Sequence, residues 1–161
     1  MQNYIKNFES SWFAAVMGTG VLAVTSLFYS EYLPILKNIS NLLFYFNILL
    51  FFVFLMLWIL RWAKYPKNMI AELKHPVLSS FSPTVAVAML VLGIDFILIK
   101  NNMFFGEIFW TFGAIGMFLF SLIVPFYMFK SETIKLDHVN PGWYIPPVGL
   151  IVIPIAGSLI M

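Results

Sequence analysis

Not one of the 161 residues is a cysteine, so neither a disulfide nor a thiolate-bound metal can staple this chain. The same absence is silent about redox compartment. Charge is almost as scarce: Asp, Glu, Lys and Arg together make up 10% of the sequence, too little to clothe a water-soluble globule when 61% is hydrophobic. The net charge of +2 comes from few, scattered groups. No dense basic face exists, which excludes nucleic acid as a partner. A Gly-rich phosphate loop, a nucleophile beside a placed His and acid, and paired carboxylates on one helix face are all missing, so no catalytic residue is assigned and the chain does not read as an enzyme. His75 and His138 lie in loops, with only Asp137 beside the second. A metal would want more ligands at suitable spacing, so no metal site and no cofactor are assigned.

What the sequence has in abundance is uninterrupted apolar length. A spanning helix needs roughly 20 apolar residues, because each adds about 1.5 Å toward a hydrocarbon core of about 30 Å. The charged residues leave five such intervals, at about 11–30, 39–60, 77–99, 106–129 and 143–161. The expected fold is therefore an all-α integral membrane protein of about five transmembrane helices in a single domain, with the lipid bilayer as its first partner. The first run is too long for a cleavable signal peptide, follows both Lys6 and Glu9, and precedes four comparable runs. In a five-span chain Lys6, Arg61, Lys64, Lys67, Lys74, Lys130 and Lys135 share one side, and only Lys37 and Lys100 take the other. The positive-inside bias then puts the N-terminus in the cytoplasm of a multi-pass cell-membrane protein and Met161 at the outer face. Trp62, Tyr65 and Trp143 near span ends suit interfacial anchoring.

The odd-numbered spans look related to one another. Aligning Phe8, Phe81 and Tyr144 brings Ser10, Pro83 and Pro146 into register, and further on Gly20, Gly93 and Ala156. Helix breakers gather in these spans: Gly18, Thr19 and Gly20 in the first, Pro83, Thr84 and Gly93 in the third, Pro146, Pro147, Gly149, Pro154 and Gly157 in the fifth. Broken helices survive in lipid only where protein or a water-filled cavity accepts the freed backbone groups, which places the odd spans inside. Two readings stay open on this chemistry, a permeation path lined by kinked helices whose exposed amides favour an anion, and close packing through small residues. The second and fourth spans are more uniformly bulky and suit a lipid-facing layer, with Phe51, Phe52, Phe54, Phe118 and Phe120 as lipid contacts. The nine Met are too scattered for a copper track.

Asp95 is the one carboxylate within reach of a hydrophobic stretch, where a central charge would cost about 2.5–3.5 kcal/mol on insertion scales. Its place near the outer end of the third span, four residues after which comes Ile99 and then Lys100, favours a solvated interfacial group over a proton or ion coupling site. Glu107 at the start of the fourth span reads as a headgroup-level charge near a helix N-terminus.

The stretch from Phe8 to Gly20, FESSWFAAVMGTG, resembles the opening of the tellurite-resistance and C4-dicarboxylate transporter family. His75-Pro76 followed by Phe81-Ser82-Pro83 is similar to that family's third helix start, and Pro141 to Leu150 with Ile153 to Gly157 is similar to its fifth helix. The family includes bacterial tellurite-resistance proteins, yeast malate and sulfite transporters and plant slow anion channels. The resemblance implies ten helices in five hairpins, odd helices ringing a pore and even helices outside, assembled as a homotrimer with one pore per subunit. It covers the N-terminal half of that fold only, so no residue here corresponds to the family's phenylalanine gate. On this footing the chain carries a small anionic substrate, and either a second copy or a separately encoded second half completes the pore. The alternative is a non-conducting scaffold, partner subunit or remnant. The residues matched to the pore are Gly18, Thr19, Gly20, Pro83, Gly93, Pro146, Pro147, Gly149, Pro154 and Gly157. None of the three odd spans carries Lys or Arg in its interior, so anion preference would arise from oriented backbone dipoles.

Overall fold

A computed structural model of the chain describes residues 5–75, 77–130 and 141–160. The expectations for Pro76, Lys135, Asp137, His138 and Met161 fall outside the described residues. The chain is a multi-pass, all-α membrane protein. Helix α1 (Phe13–Phe28) is preceded by a 3₁₀ turn at Ser10–Trp12, and α2 (Ile35–Lys64) returns beside it. A short surface helix, α3 (Pro66–Lys74), leads to a 3₁₀ turn at Leu78–Phe81 and then α4 (Thr84–Lys100). Helix α5 (Met103–Lys130) follows, and a 3₁₀ turn at Pro141–Tyr144 opens α6 (Ile145–Gly157). The helical stretches Ser10–Glu31, Ile35–Lys64, Leu78–Lys100 and Met103–Lys130 are long and apolar enough to cross a membrane, while Pro141–Gly157 is shorter. The odd-numbered spans of the sequence are thus α1, α4 and α6, and the even ones α2 and α5.

The hairpin between α4 and α5 shows how locally the turns are encoded. Asn101 ends α4 in the left-handed conformation at φ 52°, which an asparagine tolerates. The Asn102 amide then returns to the Phe96 carbonyl at 3.0 Å, and the Asn102 side-chain oxygen accepts from the Phe105 amide at 3.1 Å. Two adjacent asparagines therefore stop one helix and cap the next.

Helix α4 stands at the centre. Of the most apolar window in each spanning helix, 72% is buried for the third span, against 28% for the first and 17% for both the second and the fourth. Between α1 and α6, α4 touches both, while α2 backs α1 and α4, and α5 backs α4 and α6. Its two sides serve two cores: Val85, Ala88 and Leu92 pack with Phe13, Val16 and Phe51, whereas Ala86, Val87, Leu90 and Val91 pack with Met117. Lipid tails are as apolar as these side chains, so the helices are held by close packing instead of water exclusion. Edge-on aromatic pairs contribute, Phe13 with Phe51 at 5.9 Å and Phe44 with Phe96 at 5.1 Å, each worth about 0.5–1.5 kcal/mol.

The even spans form the outer layer, exposing Leu42, Phe46, Leu49, Phe52 and Met56 from α2 and Phe112, Ile115, Phe118 and Leu122 from α5. One expected lipid contact is corrected: Phe51 is buried between Phe13 and Phe109. Phe54 and Phe120 are half-buried, and Phe54 packs on Phe8 and Phe13. Because α2 is apolar on every side, its sequence carries little rotational signal.

Candidate functional site

The three odd helices run parallel, since one antiparallel return, α2 or α5, separates each from the next. Their leading turns gather at one end of the molecule, with Ser10–Trp12 touching Leu78–Phe81 and Leu78–Phe81 touching Pro141–Tyr144. Small polar side chains collect there: Ser10, Ser79, Ser80, Ser82 and Thr84 are buried. The Thr84 hydroxyl lies 2.6 Å from both the Ser10 and the Phe81 carbonyl oxygens, so its single proton ties α1's leading turn to α4's by serving one at a time. The Ser79 and Ser80 hydroxyls have no hydrogen-bond partner among the described residues. Unpaired hydroxyl donors beside helix starts that carry positive partial charge suit an anion better than a cation.

The prolines of the odd spans mostly open helices. Pro83 is the N-cap of α4, and Pro146 and Pro147 occupy the first turn of α6, where the missing amide would have been unpaired in any case. The expected kinks at these three positions are therefore corrected to helix starts; Pro154 sits inside α6, and α5 holds a further internal proline, Pro125. Helix α1 runs unbroken through Gly18, Thr19 and Gly20.

The ten matched residues fall into two groups. Gly18, Pro147 and Pro154 are exposed and Thr19 is half-buried, whereas Gly20, Pro83, Gly93, Pro146, Gly149 and Gly157 are buried. The buried glycines let neighbouring helices approach. A Cβ on Gly20 would lie 2.5 Å from Val91 Cγ1, 2.8 Å from Asp95 Oδ2 and 2.9 Å from Asn47 Nδ2. One on Gly93 would lie 3.2 Å from the Gly106 carbonyl, and one on Gly149 2.6 Å from Met117 Sδ. Gly157 faces the Trp110 ring, whose Nε1 donates to the Ile153 carbonyl at 2.9 Å and so fastens α6 to α5. Beside Gly18, by contrast, space is open for 4 Å. The exposed face of α1 continues from it through Ala14, Ala15, Val21, Leu22 and Thr25, and that of α6 through Val148, Ile151 and Ile155.

The solvated reading of Asp95 is overturned: its side chain is 0% exposed. It lies against Gly20 of α1 and Asn47 of α2, and Asn47 Nδ2 donates to its Oδ2 at 3.1 Å. The other oxygens of both groups, Asp95 Oδ1 and Asn47 Oδ1, have no partner among the described residues. Lys100 is turned away, donating to Asn41 Oδ1 at 2.6 Å over the Tyr45 ring. A polar pair buried among apolar helices is expensive unless it has a role or a further partner. The sequence reading missed Asn47, although a lone amide within the run Leu42 to Leu57 was a visible signal. It also missed a buried ion pair at the other end, where Arg61, 6% exposed, meets Glu72, 5% exposed. Glu107 is exposed at the start of α5, in keeping with a headgroup-level position.

The family model described as voltage-dependent anion channel matches residues 7–161. An uncharacterized transporter of Methanocaldococcus jannaschii is 94% identical over 161 residues, which is 100% of this chain and 47% of that protein. A sulfite efflux pump of Arthroderma benhamiae is 28% identical over 163 residues, covering 97% of this chain and 43% of the pump. A putative malic acid transport protein of Schizosaccharomyces pombe is 23% identical over 155 residues, covering 91% of this chain and 35% of that protein. The chain spans about half, or less, of the length of these curated relatives.

Proposed function

The chain belongs to the voltage-dependent anion channel family, and from that premise we propose that it moves small anions across a membrane along the row formed by α1, α4 and α6. The observation that carries the reading is the division of the odd helices. Their buried glycines lock α4 to its neighbours, while α1 and α6 keep exposed faces containing Gly18, Pro147 and Pro154. A second copy or a separate second half would cover those faces and close the pore, with three such pores in a trimer. Relatives named for sulfite and malic acid support oxyanions such as sulfite or a C4-dicarboxylate as substrates. The gathered leading turns would form the cytoplasmic mouth, in line with the excess of Lys and Arg on that side. With no Lys or Arg in the interior of α1, α4 or α6, and with Lys100 at the very end of α4 turned to Asn41, selectivity would rest on hydroxyl and backbone dipoles and be loose.

Asp95, paired with Asn47 and holding an oxygen with no partner among the described residues, is the proposed site for proton or ion coupling. Sulfite and malate flux into proteoliposomes, measured for the chain alone and with a second-half partner, tests the whole proposal. Flux is expected from a closed assembly and should fall at least tenfold in Gly18→Phe. Equal flux through Gly18→Phe in correctly inserted protein would refute the pore reading, and an unaltered pH profile in Asp95→Asn would refute coupling. The packing role of Gly20, Gly93, Gly149 and Gly157 favours one second reading, a non-conducting partner subunit, for which flux would be nil in every combination.

A further inference from the structure

Between the N-terminal segment and α3 lies an open cleft of about 470 Å³ with Lys6, Asn7, Lys67, Asn68 and His75 on its walls. Its floor is the buried Arg61–Glu72 pair, and Arg61 Nε also donates to the Lys6 carbonyl at 3.1 Å, fixing the N-terminal wall to the end of α2. That pairing matters for the charge left over. The floor carboxylate is neutralised by Arg61, and the other acid on the wall, Glu9, accepts the Ser11 hydroxyl at 3.2 Å without being neutralised by it, so the lining sets Lys6, Arg61 and Lys67 against two carboxylates and keeps a surplus of one positive charge. Among the described residues Arg61–Glu72 is the one ion pair, so the ammonium groups of Lys6 and Lys67 have no carboxylate partner. His75 adds a directed donor: its Nδ1 accepts from the Val77 and Leu78 amides, both at 3.2 Å, which leaves the ring proton on Nε2. Two unpaired ammonium groups, an imidazole N–H and two amides converge on one concavity.

We propose that this cleft is a binding site for a phosphate group, distinct from the row of odd helices. A phosphate presents several acceptor oxygens and negative charge, which is what this donor set lacks, whereas a metal cation would meet uncompensated lysines. The cleft's floor residue Arg61 belongs to the last turns of α2, where the half-buried Trp62 and then Tyr65 follow in sequence, residue types that favour the level of lipid headgroups. The headgroup of an anionic lipid is one source of that phosphate and soluble phosphate is the other.

Thermal unfolding of the purified full chain in a neutral detergent separates these sources. The additives are phosphatidylglycerol, phosphatidylcholine and inorganic phosphate, with sodium chloride holding ionic strength constant. Phosphatidylglycerol at about ten times its Kd should raise Tm by about 4 °C. The shift should vanish in Lys6→Gln/Lys67→Gln, whose two positions are exposed and whose Tm without additive should match the parent. A shift from inorganic phosphate alone assigns the site to soluble phosphate. No shift with either, an equal shift with phosphatidylcholine, or an undiminished shift in the double variant overturns the proposal.

Discussion

Two glycines in one turn of α1 should respond oppositely to the same substitution. At Gly20 an added methyl group would meet Val91, Asp95 and Asn47 at 2.5, 2.8 and 2.9 Å, all closer than nonbonded contact allows. None of the three can retreat, since Val91 is 7% exposed and the other two 0%. Overpacking of this kind costs about 1–3 kcal/mol. Disturbing the Asn47–Asp95 hydrogen bond adds about 1 kcal/mol, and the better helix propensity of alanine returns about 0.5–1 kcal/mol. Gly20→Ala should therefore destabilise by about 2 kcal/mol, lowering Tm by roughly 4–8 °C for a chain of this size. At Gly18 only the propensity gain applies, because nothing lies within 4 Å of the new atom, and Gly18→Ala should raise Tm by about 1–4 °C. Thermal unfolding of both variants in one detergent, followed by tryptophan fluorescence, provides the comparison. If Gly20→Ala unfolds at or above the parent temperature, the inference that this glycine is a packing contact is wrong.

Breaking the Arg61–Glu72 pair from one side, as Arg61→Met or Glu72→Gln, should cost about 3–5 kcal/mol by stranding a buried charge, while the double variant should lose clearly less; denaturant titration of the three proteins checks this. Gly149→Ala pushes on the end of the buried Met117 side chain, so a double-mutant cycle with Met117→Ala should show favourable coupling of about 1 kcal/mol or more, and simple additivity would count against the contact. Trp110→Phe keeps the ring against Gly157 but removes the indole donor to Ile153, which should lower stability by about 0.5–1.5 kcal/mol and speed hydrogen exchange in α6.

Four of the expected spans were legible as long apolar helices because charges are so rare that each apolar interval stands alone, while the fifth interval holds the shorter Pro141–Gly157. The repeat register holds in space for the third and fifth, whereas the first span's 3₁₀ turn, Ser10–Trp12, starts two residues past Phe8. Leu78–Phe81 and Pro141–Tyr144, aligned by Phe81 and Tyr144, are both 3₁₀ turns leading into odd helices. Gly20 and Gly93, also aligned, each approach the return helix of their own hairpin. Rotation about a helix axis was harder to read. Phe51 and Phe52 are neighbours of identical type, yet 1% and 53% exposed, and only contacts with Phe13 and Phe109 distinguish them. Asp95 was read as solvated because only its distance along α4 to Lys100 was visible, whereas its surroundings come from Asn47, 48 residues earlier. Prolines were read as breakers because sequence alone does not say whether a helix passes through Pro146 or begins there.

The enclosure of Thr84–Lys100 also sets a tolerance map for variation. On α2 and α5, where the surroundings are fluid acyl chains, one bulky apolar residue can replace another with little consequence, because the solvent adapts to the new shape. Along α4 nearly every position meets fixed protein atoms, so a change there must be answered by a second change elsewhere. Paired substitutions in natural or selected variants should therefore concentrate on this helix and on the residues that surround it.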